Sequence, residues 1–122
     1  MPIIDVELVA SEGSDLGEPS VAAIANALGK VLGSPPGRTW VRLSLLSSSA
    51  YAENECSLSE DELPVFATVL HAHPPEGEAL AAEVKAITVA IANCLSRSPE
   101  RVHVQYAPAA AGRQAFGGKL VQ

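Results

Sequence analysis

The sequence predicts an α+β fold in which a β-α-β unit is used twice, giving a four-stranded sheet with two helices on one face. Three observations carry this reading. An extended, apolar-rich run opens each half, Pro2 to Val9 and Pro64 to His71, and each begins with a proline. Each run is followed by a turn and then by apolar residues at three- and four-residue steps, which is the spacing of one helix face. The halves also share a joint, Ser34-Pro35 in the first and Ser98-Pro99 in the second, each leading through an arginine into a further strand.

The elements follow in order. After the first strand, Ser11 to Gly17 is a Gly/Ser/Asp turn, and Pro19 suits the first turn of a helix, where a missing N–H costs nothing. Val21, Ile24, Ala25, Leu28, Val31 and Leu32 form the apolar face of that helix, which Gly33 and Pro35-Pro36 stop. Thr39 to Leu46 reads as the second strand. The segment Pro64 to His71 is the third, Pro74-Pro75-Glu76-Gly77 a turn, and about Glu78 to Arg97 a helix with Leu80, Val84, Ile87, Ile91 and Leu95 on one face. Arg101 to Tyr106 is the fourth strand. The expected organisation is one domain over 1–122: a first repeat at about 2–46, a linker at 47–63, a second repeat at about 64–107 and a tail at 108–122.

Strand alternation divides the side chains between two faces. Val41, Leu43 and Leu45 point one way and Trp40, Arg42, Ser44 and Leu46 the other, while Val102, Val104 and Tyr106 oppose Arg101, His103 and Gln105. The first sets suit a helix layer. The second face mixes Trp40 and Leu46 with polar residues and has no helix of its own chain, so burial in an oligomer is expected.

Composition narrows the function classes. The 122 residues carry a net charge of −6 and no Lys/Arg cluster interleaved with aromatics, which speaks against a nucleic-acid partner. The longest apolar-rich stretch, Leu80 to Leu95, is interrupted by Glu83, Lys85 and Asn93, and no basic leader precedes an apolar segment, so neither a membrane span nor a signal peptide is expected. Cys56 and Cys94 have no CxxC or His-rich surroundings and read as free thiols of a cytoplasmic protein rather than as a zinc site.

Pro2 is the leading functional candidate. Methionine is usually trimmed before a residue as small as proline, and trimming leaves a secondary amine as the terminus. An α-amino group titrates around 7.7–8.0 and burial disfavours its charged form, so in an apolar pocket it can serve as a neutral base near pH 7. If Met1 is kept, that nitrogen is an amide and cannot. Pro64 is internal, and its nitrogen is an amide in any case.

The conjunction of Pro2, the repeat, the length and the stretch Ser98-Pro99-Glu100-Arg101-Val102-His103-Val104-Gln105-Tyr106 resembles the tautomerase superfamily, which includes 4-oxalocrotonate tautomerase and macrophage migration inhibitory factor. Pro35-Pro36 ahead of Trp40-Val41-Arg42, and the paired Gly117-Gly118, are similar to features of the same family. The resemblance implies a homotrimer of β-α-β-β-α-β subunits, with Pro2 as general base or acid in a pocket at each subunit boundary. Arg42 corresponds to a carboxylate-binding arginine contributed across an interface, with an intersubunit salt bridge as the alternative role. His103 and Gln105 fall at pocket positions where they would hydrogen-bond substrate or the proline, with an interface histidine as the alternative for His103. His71 and His73 end the third strand and read as solvated histidines.

The departures from the family restrict the reaction. Glu12 and Ser34 stand where relatives carry basic residues, and Leu70-His71-Ala72-His73-Pro74 lacks the arginines of the dehalogenase and decarboxylase branches. The resulting expectation is a tautomerase or isomerase of a small keto or enol acid, with Pro2 catalytic, Arg42, His103 and Gln105 binding substrate, and no metal or organic cofactor. The alternatives are another proline-dependent reaction, hydratase or dehalogenase-like, and a non-catalytic trimeric binding protein if Met1 is retained.

Overall fold

The computed structural model describes residues 2–12 and 21–122, so Pro19 and most of the Ser11 to Gly17 turn lie outside the described residues. Strand β1 (Ile3–Ala10) leads into helix α1 (Val21–Val31) and strand β2 (Trp40–Ser47). Strand β3 (Val65–Leu70), helix α2 (Gly77–Leu95) and strand β4 (Val102–Tyr106) repeat the unit. The strands form one sheet in the order β2-β1-β3-β4. Each unit pairs its own two strands in parallel, as a helical crossover requires, and the units meet through antiparallel β1 and β3.

Alternation in the two central strands makes the core. Ile4, Val6 and Leu8 of β1 and Val65, Ala67 and Val69 of β3 are almost wholly buried on one face. Against them pack Ile24 and Leu28 of α1 and Ile87 and Ile91 of α2, the inner residues of the two helical stripes read from the sequence. Val21 and Val31, at the margins of the first stripe, stay more than a third exposed. Leu45 differs more: it shares the Val41 and Leu43 side of β2 but is 59% exposed, because β2 is an edge strand with a neighbour on one side only.

The helix ends have local causes. Helix α1 closes at Gly33, whose φ of 63° lies in the left-handed region that glycine enters without steric cost, and the Ser34 N–H returns to the Gly29 carbonyl at 2.8 Å. Beyond α2, Arg97 ties the helix to the sheet by donating to the carbonyls of Leu63 (2.6 Å) and Val9 (3.1 Å).

The linker is ordered by short 3-10 turns at Ser48–Ala50 and Glu60–Glu62. The tail continues beside β3, with the N–H groups of Ala107, Ala110 and Ala111 donating to Val69, His71 and Ala72. It ends in a hairpin of β5 (Ala115–Phe116) and β6 (Lys119–Leu120), turned by Gly117 and Gly118, both at positive φ. Phe116 of this hairpin meets Trp40 of β2 edge to face, with centroids 5.0 Å apart. The tail therefore contacts β3 and the far edge strand at the end of the sheet where β1 begins.

Candidate functional site

The sheet face away from the helices carries a concavity of about 920 Å³ whose lining follows directly from the strand register. Asp5 and Glu7 alternate with the buried Ile4, Val6 and Leu8 and so face outward. Arg42, Asp5, Thr68 and Gln105 make one row across the four strands, and Ser44, Glu7, Phe66 and His103 the next. Arg42, His103 and Gln105 thus share one wall. Strands lie about 4.8 Å apart, so Arg42 and Gln105, on opposite edges, are separated by about 14 Å. A small acid held by Arg42 does not reach Gln105 of the same chain.

Two of the polar groups of this wall, Arg42 and Gln105, are already engaged. Arg42 makes a two-pronged contact with Asp5, Nε to Oδ1 at 2.5 Å and Nη2 to Oδ2 at 2.8 Å. The hydrogen bond and then the charge of Asp5 raise the Arg42 pKa further, so the guanidinium stays charged. Gln105 donates to Thr68 Oγ1 at 3.0 Å. At one side the linker supplies Tyr51, tilted against Phe66 at 5.8 Å, and Phe66 in turn neighbours the His103 ring at 5.5 Å. The Tyr51 hydroxyl and Arg101 Nη2 both donate to Glu53 Oε2 at 2.7 Å. These two bonds hold the Glu53 carboxyl below its ordinary pKa, Tyr51 contributing more than Arg101.

Pro2 is elsewhere. It is buried just ahead of β1, its carbonyl accepting the Trp40 N–H at 3.0 Å. Its even number puts it on the side of Ile4 and Val6, facing the helix layer, whereas Arg42 and its row face the other way. Within one chain the proline and the three polar candidates occupy opposite faces of the sheet. Only residues contributed by another subunit could join them in one pocket.

A cluster that sequence reasoning did not find lies at the end of β3. His71 Nε2 lies 3.0 Å from Glu83 Oε2, and the Tyr106 hydroxyl donates to the same oxygen. The His71 and Tyr106 rings stack 17° from parallel with centroids 6.0 Å apart. Burial, and then the bond to and charge of Glu83, push the Tyr106 pKa well above the ordinary phenol range, so this hydroxyl keeps its proton and remains a donor. His71 is therefore not a solvated strand end; its side chain is only 15% exposed. His73 is exposed, as expected, and its Nε2 lies 2.9 Å from the Gln122 carbonyl. The signal for the cluster was in the sequence: His71 and Tyr106 continue the core-facing alternation of their strands, and Glu83 is one residue before Val84 of the apolar stripe. Asp5, Glu7 and Thr68 were legible by the same alternation, whereas Tyr51 lies in a linker with no periodicity.

No protein-family profile and no curated protein matches the chain. Solved structures do. The fold is similar to a fused 4-OT described as a symmetric trimer, at a TM-score of 0.75 and 13% identity over 98% of this chain and 94% of that one. It is similar to macrophage migration inhibitory factor from Oncomelania hupensis, at 0.71 and 24% over 100% and 83%. A malonate semialdehyde decarboxylase aligns at 0.64 and 19% over 94% and 90%. The chain thus has the fold of the tautomerase superfamily, as the sequence resemblance implied. Among the described residues no helix is long and apolar enough to cross a membrane, and both cysteines are free.

Proposed function

We propose that the protein is a tautomerase or isomerase of a small keto or enol acid, assembled as a homotrimer, with the Pro2 amine freed by removal of Met1 as its base. The observation that carries this reading is the burial of Pro2 at the head of a central strand, in a fold whose neighbours include 4-OT and macrophage migration inhibitory factor. Burial disfavours the ammonium form, leaving an amine able to accept a proton near neutral pH. The amine takes a proton from one end of the conjugated keto-enol system, becomes an ammonium, and returns the proton to the other end. The electron pair passes through the enolate between the two events.

Arg42 joins this reading from one neighbouring subunit and His103 or Gln105 from another, because within one chain they stand on opposite edges of the sheet. Arg42 holds the substrate carboxylate with its planar fork, and His103 or Gln105 polarises the enolate oxygen. The opposite-face placement of Pro2 and Arg42 in one chain supports a site built at a subunit boundary.

The clasp of Asp5 on Arg42 favours a second reading, in which Arg42 is purely structural and the trimer binds without turning over. The test is a screen of keto and enol acids, phenylenolpyruvate among them, on protein shown by mass spectrometry to lack Met1. Turnover that falls on Pro2→Ala supports the enzyme. Binding with no turnover in the trimmed protein supports the second reading.

A further inference from the structure

The position of His71 relative to Pro2 follows from the β1/β3 register. The ladder pairs Ile3 with Leu70, Ile4 with Val69 and Asp5 with Thr68, so one more step sets Pro2 opposite His71. The type of that pair also follows. Val9 donates its N–H to the Pro64 carbonyl, which makes the odd-numbered residues of β1 the hydrogen-bonded partners and the even-numbered ones the non-hydrogen-bonded partners. The His71 carbonyl agrees with this, since it turns away from β1 and accepts from Ala110 N–H at 2.8 Å. Non-hydrogen-bonded pairs are the closer kind, with Cα atoms about 4.5 Å apart and side chains on the same face. Pro2 and His71 are therefore direct lateral neighbours on the helix-facing side.

The state of the imidazole follows from its partner. Glu83 as a carboxylate can only accept, so Nε2 carries the hydrogen that bonds it, and in the neutral ring Nδ1 is then the unprotonated nitrogen. Among the described residues Nδ1 has no hydrogen-bond partner. Tyr106, donating to the same carboxylate oxygen, keeps that oxygen in place. A base of fixed tautomer, backed by a half-buried carboxylate, thus stands beside the proline with its acceptor nitrogen open.

We propose that His71 is a positioning residue for Pro2: its Nδ1 accepts a hydrogen bond from the Pro2 ammonium, so that the amine and the imidazole share one proton. This rests on the reading above in that it needs Met1 removed. It goes beyond that reading by assigning Glu83, His71 and Tyr106 a role in setting when the amine is neutral. One N–H bond breaks as the other forms, and no bond between heavy atoms changes. The proton leaves one nitrogen as it reaches the other, and the two groups titrate as a coupled pair.

The test needs no substrate. ¹⁵N NMR of the His71 ring is followed against pH in Met1-free protein, and in protein made with methionine aminopeptidase inhibited so that the Pro2 nitrogen stays an amide. The neutral ring is expected as the Nε2–H tautomer in both. Its titration midpoint is expected to differ between the two forms by about one unit, the scale at which coupled groups separate. The Glu83→Gln and Tyr106→Phe variants should each shrink that difference, either one sufficing if the other does not fold. Equal midpoints in the two forms, or an Nδ1–H neutral ring, would overturn the proposal. A coupled pair in a protein that turns over no keto or enol acid leaves this inference standing and removes the enzymatic reading. Turnover lost on Pro2→Ala, with His71 midpoints equal, does the reverse.

Discussion

At the scale of single residues the decisive side chains are Pro2 and Arg42, and each makes a separable prediction. Pro2→Ala should lower turnover of phenylenolpyruvate in Met1-free protein by about tenfold or more, because a primary amine on a freely rotating terminus is differently placed and is a weaker base than the ring amine, while fold and assembly persist. Steady-state kinetics with circular dichroism on one preparation checks both halves. Arg42→Ala should raise KM, and Arg42→Lys should recover little, since a point charge does not replace a planar fork. In the proposed site Asp5 would compete with substrate for that fork, so Asp5→Asn should lower KM severalfold. A KM untouched by Asp5→Asn and Arg42→Ala alike, with trimers weakened, would confine Arg42 to an ion pair. Pro2 and Arg42 were legible because strand alternation and a terminal proline are local signals. The Asp5 clasp was not, because it depends on β1 pairing with β2 at a register that no single strand encodes.

At the scale of elements, the helices and strands were legible from periodicity because their buried residues also drive their packing. Ile24, Leu28, Ile87 and Ile91 are both the repeat in the sequence and the floor of the core. The linker was illegible for the complementary reason: side-chain bonds rather than a buried stripe organise it. Its anchors are Glu53, held by Tyr51 and Arg101, and Glu62, which accepts from the Ser59 N–H and hydroxyl. Both carboxyls are held below their ordinary pKa, so their contribution is complete above the unfolded-state value of about 4.3 and is lost as pH falls through the lower folded values. Limited proteolysis by pepsin should therefore open the 47–63 segment at a pH below that at which it is fully anchored, before the sheet unfolds. Arg97 is the other pin. Replacing it with methionine keeps most of its bulk but leaves the Leu63 and Val9 carbonyls without their donor, and should cost about 1–3 kcal/mol in a denaturant titration.

At the scale of the whole molecule, the open face decides the assembly. Trp40, which lies on this face, is 44% exposed and has no helix of its own chain to cover it. A trimer by light scattering at micromolar concentration is the expected result, and a monomer would remove both the assembly and the shared site. Because Pro2 and Arg42 face opposite ways within a chain, specific activity should fall on dilution through the dissociation range, in step with the loss of trimer. The repeat has one more outcome, and it concerns chain connectivity. Pro64, like Pro2, lies one residue ahead of its strand and is fully buried, with its carbonyl accepting the Val9 N–H, but it precedes the helix-facing Val65 and so faces the opposite side of the sheet. What separates the two prolines chemically is one peptide bond, from Leu63 to Pro64. Two chains divided there, each beginning at its own proline, would present a pair of amines, one on each side of the sheet. Covalent continuity, more than any side chain, limits each subunit to one amine.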